Sequence, residues 1–345
     1  MMVSPLEIVR RSSGRLDGRV RTLPILALEV HSACNCRCVM CDIWKANHVR
    51  REIDDETLAA HAEAIRRLHV RRVMLTGGEP LLHRNLWRLC DRLLRMDIAV
   101  TLVTTGILLE AHAAAIGLRV DTVVVSLDGP RAVHDDIRRV PGGFDRIARG
   151  LAALLALPQR PRLVARSVVQ RANFEQLAET IDAAWDLGFD EVSFLGADVT
   201  SHAFNRPEAW SAARQAEVAV PAERLPALDA AIERVSARQA LRLEQGFVAG
   251  GLASLARIRA YYAALAGQRP FPAVRCNAPW VSAVLEANGA VRPCFFHEPY
   301  APASGLDATI NGASAVAFRR ALDPRTHPTC QRCVCWLDLP VTRRP

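Results

Sequence analysis

Lysine is almost absent from this chain. Of the 44 basic residues among its 345, only Lys45 is a lysine and the rest are arginine. No block of five or more like charges occurs, so the net charge of +8 is spread along the chain and offers no stripe for nucleic acid. Dispersed arginines suit a solvated surface, or a basic mouth that draws in an anionic substrate. Long apolar runs are missing too. The longest, such as "VDTVVVSL" and "ILALEV", are strand-sized and fall short of the roughly 18 residues that span a bilayer. The opening "MMVSPLEIVRRSSGRL" has neither an apolar h-region nor a small-residue cleavage site, which argues against a signal peptide. These absences predict a cytoplasmic protein with no nucleic-acid partner and no membrane.

Cysteine, in contrast, is plentiful and unevenly placed. Four of the ten cysteines lie within 34–41 and five within 276–335, leaving Cys90 alone. Without an export signal, disulfides are disfavoured, and clustered thiols point to metal binding or redox chemistry. Cys90 falls on one helical face with Leu86, Leu89 and Leu93, where a free thiol acts as a small core hydrophobe. Half of the residues are apolar and 23% are charged, a soluble globular balance.

From 24 to about 200, strands and helices alternate. "ILALEV" (25–30), "VRRVMLT" (70–76), "DIAVTLVTT" (97–105), "DTVVVSLD" (121–128), "RLVARSVVQ" (162–170) and "DEVSFLGADV" (190–199) read as strands. Segments 54–68, 84–96, 107–117 and 144–157 carry helical spacing between them. Asn173 with Gln176 suggests a capping-box variant for a further helix, which Gly188 closes as its C′ residue. Six such units predict an α/β fold with a parallel sheet, a partial (β/α)6 barrel of TIM type, with its chemistry at the C-terminal strand ends. Three helical stretches in 201–275 break the alternation and read as a bridge. Asn288-Gly289 between two alternating runs then signals a type I′ hairpin. The expected divisions are an N-terminal extension (1–23), the partial barrel (24–200), the helical bridge (201–275) and a cysteine-rich C-terminal domain (276–345).

Cys34, Cys38 and Cys41 have the spacing C-x3-C-x2-C, on the loop after the first strand. Three thiolates on a short loop can hold three irons of a [4Fe–4S] cube and leave the fourth open to a ligand. Zinc remains an alternative for such a motif in isolation. Cys36, between two of these ligands, is expected to point the other way or remain a spare thiol. At the end of the second strand stands "TGGEP" (76–80), where Gly77 and Gly78 allow close backbone approach and the Glu79 carboxylate can accept a bond from an ammonium group. "SLDGP" (126–130) ends the fourth strand.

These three motifs, in this order and each at a strand end, resemble the radical S-adenosylmethionine (radical SAM) superfamily. The resemblance covers the first 200 residues. It implies that the open iron chelates the methionine part of SAM, and that an electron from the cluster cleaves SAM to a 5′-deoxyadenosyl radical. It further implies that the Gly77–Glu79 segment contacts the SAM amino group. Ser126 would contact the ribose, with Asp128 a polar contact or a loop brace. Thr105 and Gln170, at other strand ends, are SAM-facing candidates. Many family members carry an aromatic residue before the third cysteine; here it is Met40, whose thioether can still pack on adenine. An electron donor such as flavodoxin or ferredoxin is the implied partner.

Cys276, Cys294, Cys330 and Cys333 offer a second set of four thiols, suited to a fully ligated cluster or to zinc. The stretch is similar to the SPASM/twitch extension of radical SAM enzymes, with Cys276, Gly289 and Cys294 in its order. Five cysteines are fewer than a full SPASM domain uses, so the shorter twitch form with one auxiliary [4Fe–4S] cluster is implied. Cys335 competes with Cys333 as the fourth ligand. Such a cluster can take the electron that completes an oxidation. The leading expectation is therefore a radical SAM oxidoreductase acting on a small polar metabolite. The alternative is a maturase acting on a peptide or protein; a binding protein without catalysis would have no use for the Gly77–Glu79 motif. The short segment before the first strand leans toward the metabolite. Asp198, His202, Asn205, Tyr261 and Tyr262 are candidates for a substrate base.

Overall fold

The computed structural model describes residues 3–206 and 208–345; Pro207, within one of the helical stretches the sequence suggests, falls outside them. Helix α1 (Pro5–Asp17) lies in the segment that the sequence left without an element. Ser4 caps it by accepting from the Glu7 N–H, Pro5 opens it, and Gly18 closes it at φ +73°. The chain continues through β1 (Ile25–His31), α2 (Asp55–Arg67), β2 (Arg72–Gly77), α3 (Leu86–Leu94), β3 (Ala99–Thr104) and α4 (Leu109–Arg119). It then forms β4 (Thr122–Ser126), α5 (Arg131–Arg138), α6 (Gly143–Leu155), β5 (Arg162–Val169), α7 (Leu177–Asp186) and β6 (Glu191–Gly196). All six expected strands are present. Within this barrel, helix α5 is an addition, as α1 is before it.

The six strands pair in parallel, and the sheet then extends beyond β1. Strand β7 (Ser282–Leu285) pairs parallel with β1, and β8 (Val291–Arg292) turns back antiparallel to it. The order β6-β5-β4-β3-β2-β1-β7-β8 leaves β6 and β8 at the edges, so this mixed α/β sheet is a partial barrel and not a closed one. The C-terminal segment is thus continuous with the barrel's own sheet. Leu26, Leu28 and Val30 of β1 are buried in the main core, while the alternate Glu29 is only half-buried. This is the period-two consequence of a strand with different surroundings on its two faces.

The region 201–275 forms α8 (Ala212–Val218), α9 (Leu225–Arg238), α10 (Ala240–Glu244) and α11 (Gly251–Leu265). It packs on the barrel. The Val192 N–H donates to the Phe247 carbonyl at 2.8 Å and the Ala249 N–H to the Val192 carbonyl at 2.9 Å, which covers the exposed edge of β6. From α11, the Tyr262 hydroxyl accepts from the Ala197 N–H at 2.9 Å and donates to the Val169 carbonyl at 2.5 Å.

Two local expectations are corrected. Asn173 does not cap its helix: its side chain accepts from the Gln170 N–H at 2.8 Å and donates to the Asp128 and Val168 carbonyls at 2.8 and 3.0 Å. A 3-10 turn at Phe174–Gln176 intervenes before α7. Asn173 bridges strand ends because a buried backbone carbonyl there needs a donor. The hairpin turn is also not type I′, since only Gly289 (φ +86°) is left-handed. The Gly289 N–H closes on the Glu286 carbonyl, and Glu286 and Ala290 pair beyond it, a longer loop of the kind that ends in a left-handed glycine.

Candidate functional site

On the loop after β1, the thiols of Cys34, Cys36 and Cys38 come together while Arg37 is exposed. This overturns the expected outward turn of Cys36. Its thiol is buried against the Cys34 and Cys38 thiols, in a pocket with Met40, Ile137, Ala197, Val199 and Trp210. Cys41 completes the group, close enough to feel charge on Cys38 and Cys34. The loop is strapped from several directions. Asn47 receives the Cys34 N–H and donates to the Cys34 carbonyl, at 2.9 and 2.8 Å. Trp44 donates to the Cys41 carbonyl at 2.8 Å, and Trp210 to the Asp42 carboxylate at 2.8 Å. The Arg37 and Val39 N–H groups donate to the carbonyls of Arg138 and Ile137, at 3.2 and 3.0 Å.

Gly77 and Gly78 are required by the chain's own backbone. A Cβ on Gly78 would stand 2.1 Å from the Ala33 carbonyl oxygen, and one on Gly77 2.5 Å from that of His31. The pair lets the cysteine loop lie directly against the end of β2. Glu79 is fully buried. Its carboxylate accepts from the Leu81 N–H (3.0 Å), the Thr104 hydroxyl (2.8 Å) and the Thr105 N–H (2.6 Å). Burial raises its pKa, against the pull of those donors. Glu79 therefore welds the ends of β2 and β3 together.

Asp128 is likewise buried and occupied. It accepts from Arg138 Nε at 2.6 Å and from the Val168 N–H at 2.8 Å. Arg138 also donates to the Cys38 sulfur at 3.5 Å. A hydrogen bond from Cys36 and the Arg138 guanidinium lower the Cys38 thiol to about 6, whereas burial pushes Cys41 up to about 12. Ser126 stands half-buried at the end of β4. The Thr105 hydroxyl donates to Asn35 Oδ1 at 3.0 Å. Asn35 Nδ2 and Gln170 Oε1 are buried without a partner. Three convergent thiols with unsatisfied polar atoms on neighbouring segments fit an iron–sulfur cluster carrying a polar ligand.

Beside this loop opens a cavity of ≈ 600 Å³, with Gly77, Gly78, His202 and Asn205 among its lining. Five charged groups line it that the sequence reading did not single out: Glu29, Glu286, Arg292, Arg51 and Arg206. Glu286 is bonded to Arg292. Glu29 has no ion pair among the described residues, and burial, with Glu286 nearby, raises its pKa to about 7. The signal was present as a lone acid inside an apolar strand.

The substrate-base candidates divide. His202 and Asn205 face the cavity. Asp198 is buried in an ion pair with Arg206 at 2.8 Å and accepts from Ser201 Oγ at 2.5 Å. Tyr261 donates to the Ala197 carbonyl at 3.0 Å, and Tyr262 is held as described above. Both tyrosines and Asp198 are thus tied into the framework.

The five C-terminal cysteines line one small cavity, together with His297. Strand β8 brings in Cys294, the turn before α12 (Ala278–Val281) brings in Cys276, and the short helix Pro328–Gln331 carries Cys330. Burial raises Cys294 to about 11 and Cys330 to about 12, and it also raises Cys333 and Cys335. Neutral buried thiols that converge must release protons to bind a metal. The donor set fits a four-thiolate cluster, with both Cys333 and Cys335 at the cavity wall.

Comparison with known proteins agrees with this geometry. Residues 28–184 match the Radical SAM superfamily. A "Probable GTP 3′,8-cyclase" from Saccharolobus solfataricus is 27% identical over 52% of this chain and 59% of its own length. "Mycofactocin maturase MftC" from Mycolicibacterium smegmatis is 30% identical over 45% of this chain and 40% of its own length. The chain thus spans about half the length of the curated relatives it matches. In structure, Streptococcus suis SuiB bound to S-adenosylmethionine aligns with TM-score 0.63 over 94% of this chain and 75% of SuiB, at 13% identity. Native anSMEcpe with bound AdoMet aligns with TM-score 0.64 over 90% of this chain and 86% of its own, at 15% identity. At these identities the likeness is one of fold.

Proposed function

We propose that this chain, which carries a radical SAM domain over residues 28–184, is an enzyme that takes a hydrogen atom from a small polar metabolite and completes an oxidation. Cys34, Cys38 and Cys41 would hold one [4Fe–4S] cluster, with SAM along the Gly77–Gly78 backbone, Ser126 and Gln170. Cys276, Cys294 and Cys330, with Cys333 or Cys335, would hold the second. Bound there, the clusters and SAM would supply one-electron chemistry: reductive cleavage of the sulfonium and a sink for the electron the substrate gives up.

The observation that carries the reading is the pairing of two separate thiol sets with one large charged cavity. Glu29, Glu286 and Arg292 give the cavity a charged wall that can hold and orient a polar substrate. His202 and Asn205, on a loop where Phe204 and Asn205 both take positive φ, reach it from the bridge side. No helix among the described residues is long and apolar enough to cross a membrane. An external reductant of the flavodoxin or ferredoxin type would feed the first cluster.

A peptide substrate is the second reading. The maturase among the relatives favours it.

Anaerobic reconstitution tests both clusters. About eight irons per chain are expected, falling to about four when Cys34, Cys38 and Cys41 are replaced by alanine. Added SAM should change the electron paramagnetic resonance signal of the parent chain and leave that of the triple variant unaltered. A parent chain with no SAM-responsive cluster would remove the proposal.

A further inference from the structure

The C-terminal cavity holds more donors than a four-thiolate cluster uses. Beside its five thiols stands His297, 7% exposed, three residues after Cys294. Its Nε2 lies 3.3 Å from the Cys330 sulfur. The ring is held from two sides. Phe318 meets it edge-on at 5.0 Å between centroids, and His327 does so at 4.8 Å. Its backbone is fixed as well, since the His297 carbonyl accepts from Arg292 Nη1 at 3.0 Å. An imidazole so clamped has little freedom to leave the sulfur. A metal-bound thiolate can only accept a hydrogen bond, so the nitrogen facing it must carry the proton.

We propose that His297 is a positioning residue of the auxiliary site: its Nε2–H donates to the Cys330 thiolate, orients that ligand and raises the reduction potential of the cluster. The cause is electrostatic. A donor aimed at a ligand sulfur draws negative charge from the cluster and favours its reduced form, which carries one more electron. An electron sink near the substrate works better for such a bias. Arg292 couples the two cavities physically. Its guanidinium binds Glu286 on the substrate side, and the same group holds the His297 carbonyl.

The inference rests on an iron–sulfur cluster occupying this cavity, so the test separates the two. The 345-residue chain with Cys34, Cys38 and Cys41 changed to alanine isolates the auxiliary site. It is reconstituted with iron and sulfide, then titrated potentiometrically under electron paramagnetic resonance. His297→Phe keeps a packed ring without the donor; His297→Gln restores an N–H donor. About four irons per chain are expected in all three. The Phe variant should titrate at a more negative potential than its parent, and the Gln variant should return toward the parent. Equal potentials in all three, with iron retained, would overturn the role of His297 alone. Loss of iron from the Phe variant would make His297 a ligand and overturn it differently. A parent that takes up no iron, or one zinc ion held by His297, His327 and Cys330, whose ligand atoms lie within 4.8 Å of one another, would overturn the inference and the auxiliary cluster together.

Discussion

Arg138 donates to the Cys38 sulfur at 3.5 Å while Asp128 grips its Nε at 2.6 Å. The strand-end acid therefore acts on the cysteine loop through a guanidinium, and all three groups are buried. Arg138→Met should strand the Asp128 carboxylate and destabilise the chain by roughly 3–5 kcal/mol. Adding Asp128→Asn should recover a good part of that loss. Denaturant unfolding of the four chains of the cycle decides it; additive losses would dismiss the coupling.

Cys36 is packed among the proposed ligands without being counted as one. Cys36→Ala should keep the iron content of the parent and its spectroscopic response to SAM. Cys38→Ala should lose the first cluster. If Cys36→Ala also drops about four irons, the three-ligand assignment is wrong.

Glu29 has its pKa raised from 4.5 to about 7, first by burial and then by Glu286, against the pull of Arg292. The folded state holds that proton more tightly than the unfolded state. Its contribution to stability is therefore present below pH 4.5 and lost as pH rises through about 7. Glu29→Gln, which has no charge to bury, should gain relative to the parent across that window. The gain should reach on the order of 1–2 kcal/mol after allowance for solvent at this half-buried site. Thermal unfolding of the metal-free chains on either side of the window measures it. A pH-independent difference would mean that Glu29 is already solvated.

Gly78→Ala should cost about 2–4 kcal/mol, because the new methyl meets the Ala33 carbonyl that fixes the cysteine loop. Iron uptake at the first site should fall with it. Gly142→Ala has open space around it and only its φ of +70° to strain, so about 1 kcal/mol is expected there. Unfolding and iron analysis of the two variants give the comparison. Equal costs would refute the steric account.

Local pattern alone determined a great deal of this protein. Apolar runs broken by helical spacing place all six parallel strands, because each element's periodicity is set by its own residues. The spacing of Cys34, Cys38 and Cys41 was legible for the same reason: one short loop carries the thiols. Partnerships between distant residues were not legible. Nothing near Cys38 announces Arg138, 100 residues on. Nothing near Ile25 announces that Ser282 will pair beside it. Asn173 read as a helix cap, and Asp198 and Tyr262 as candidates for a substrate base, until the fold assigned their hydrogen bonds. Glu29 became a cavity acid only when Glu286 came alongside it. Buried polar groups must be satisfied by whatever chain packing brings near, and that neighbour is a property of the tertiary structure.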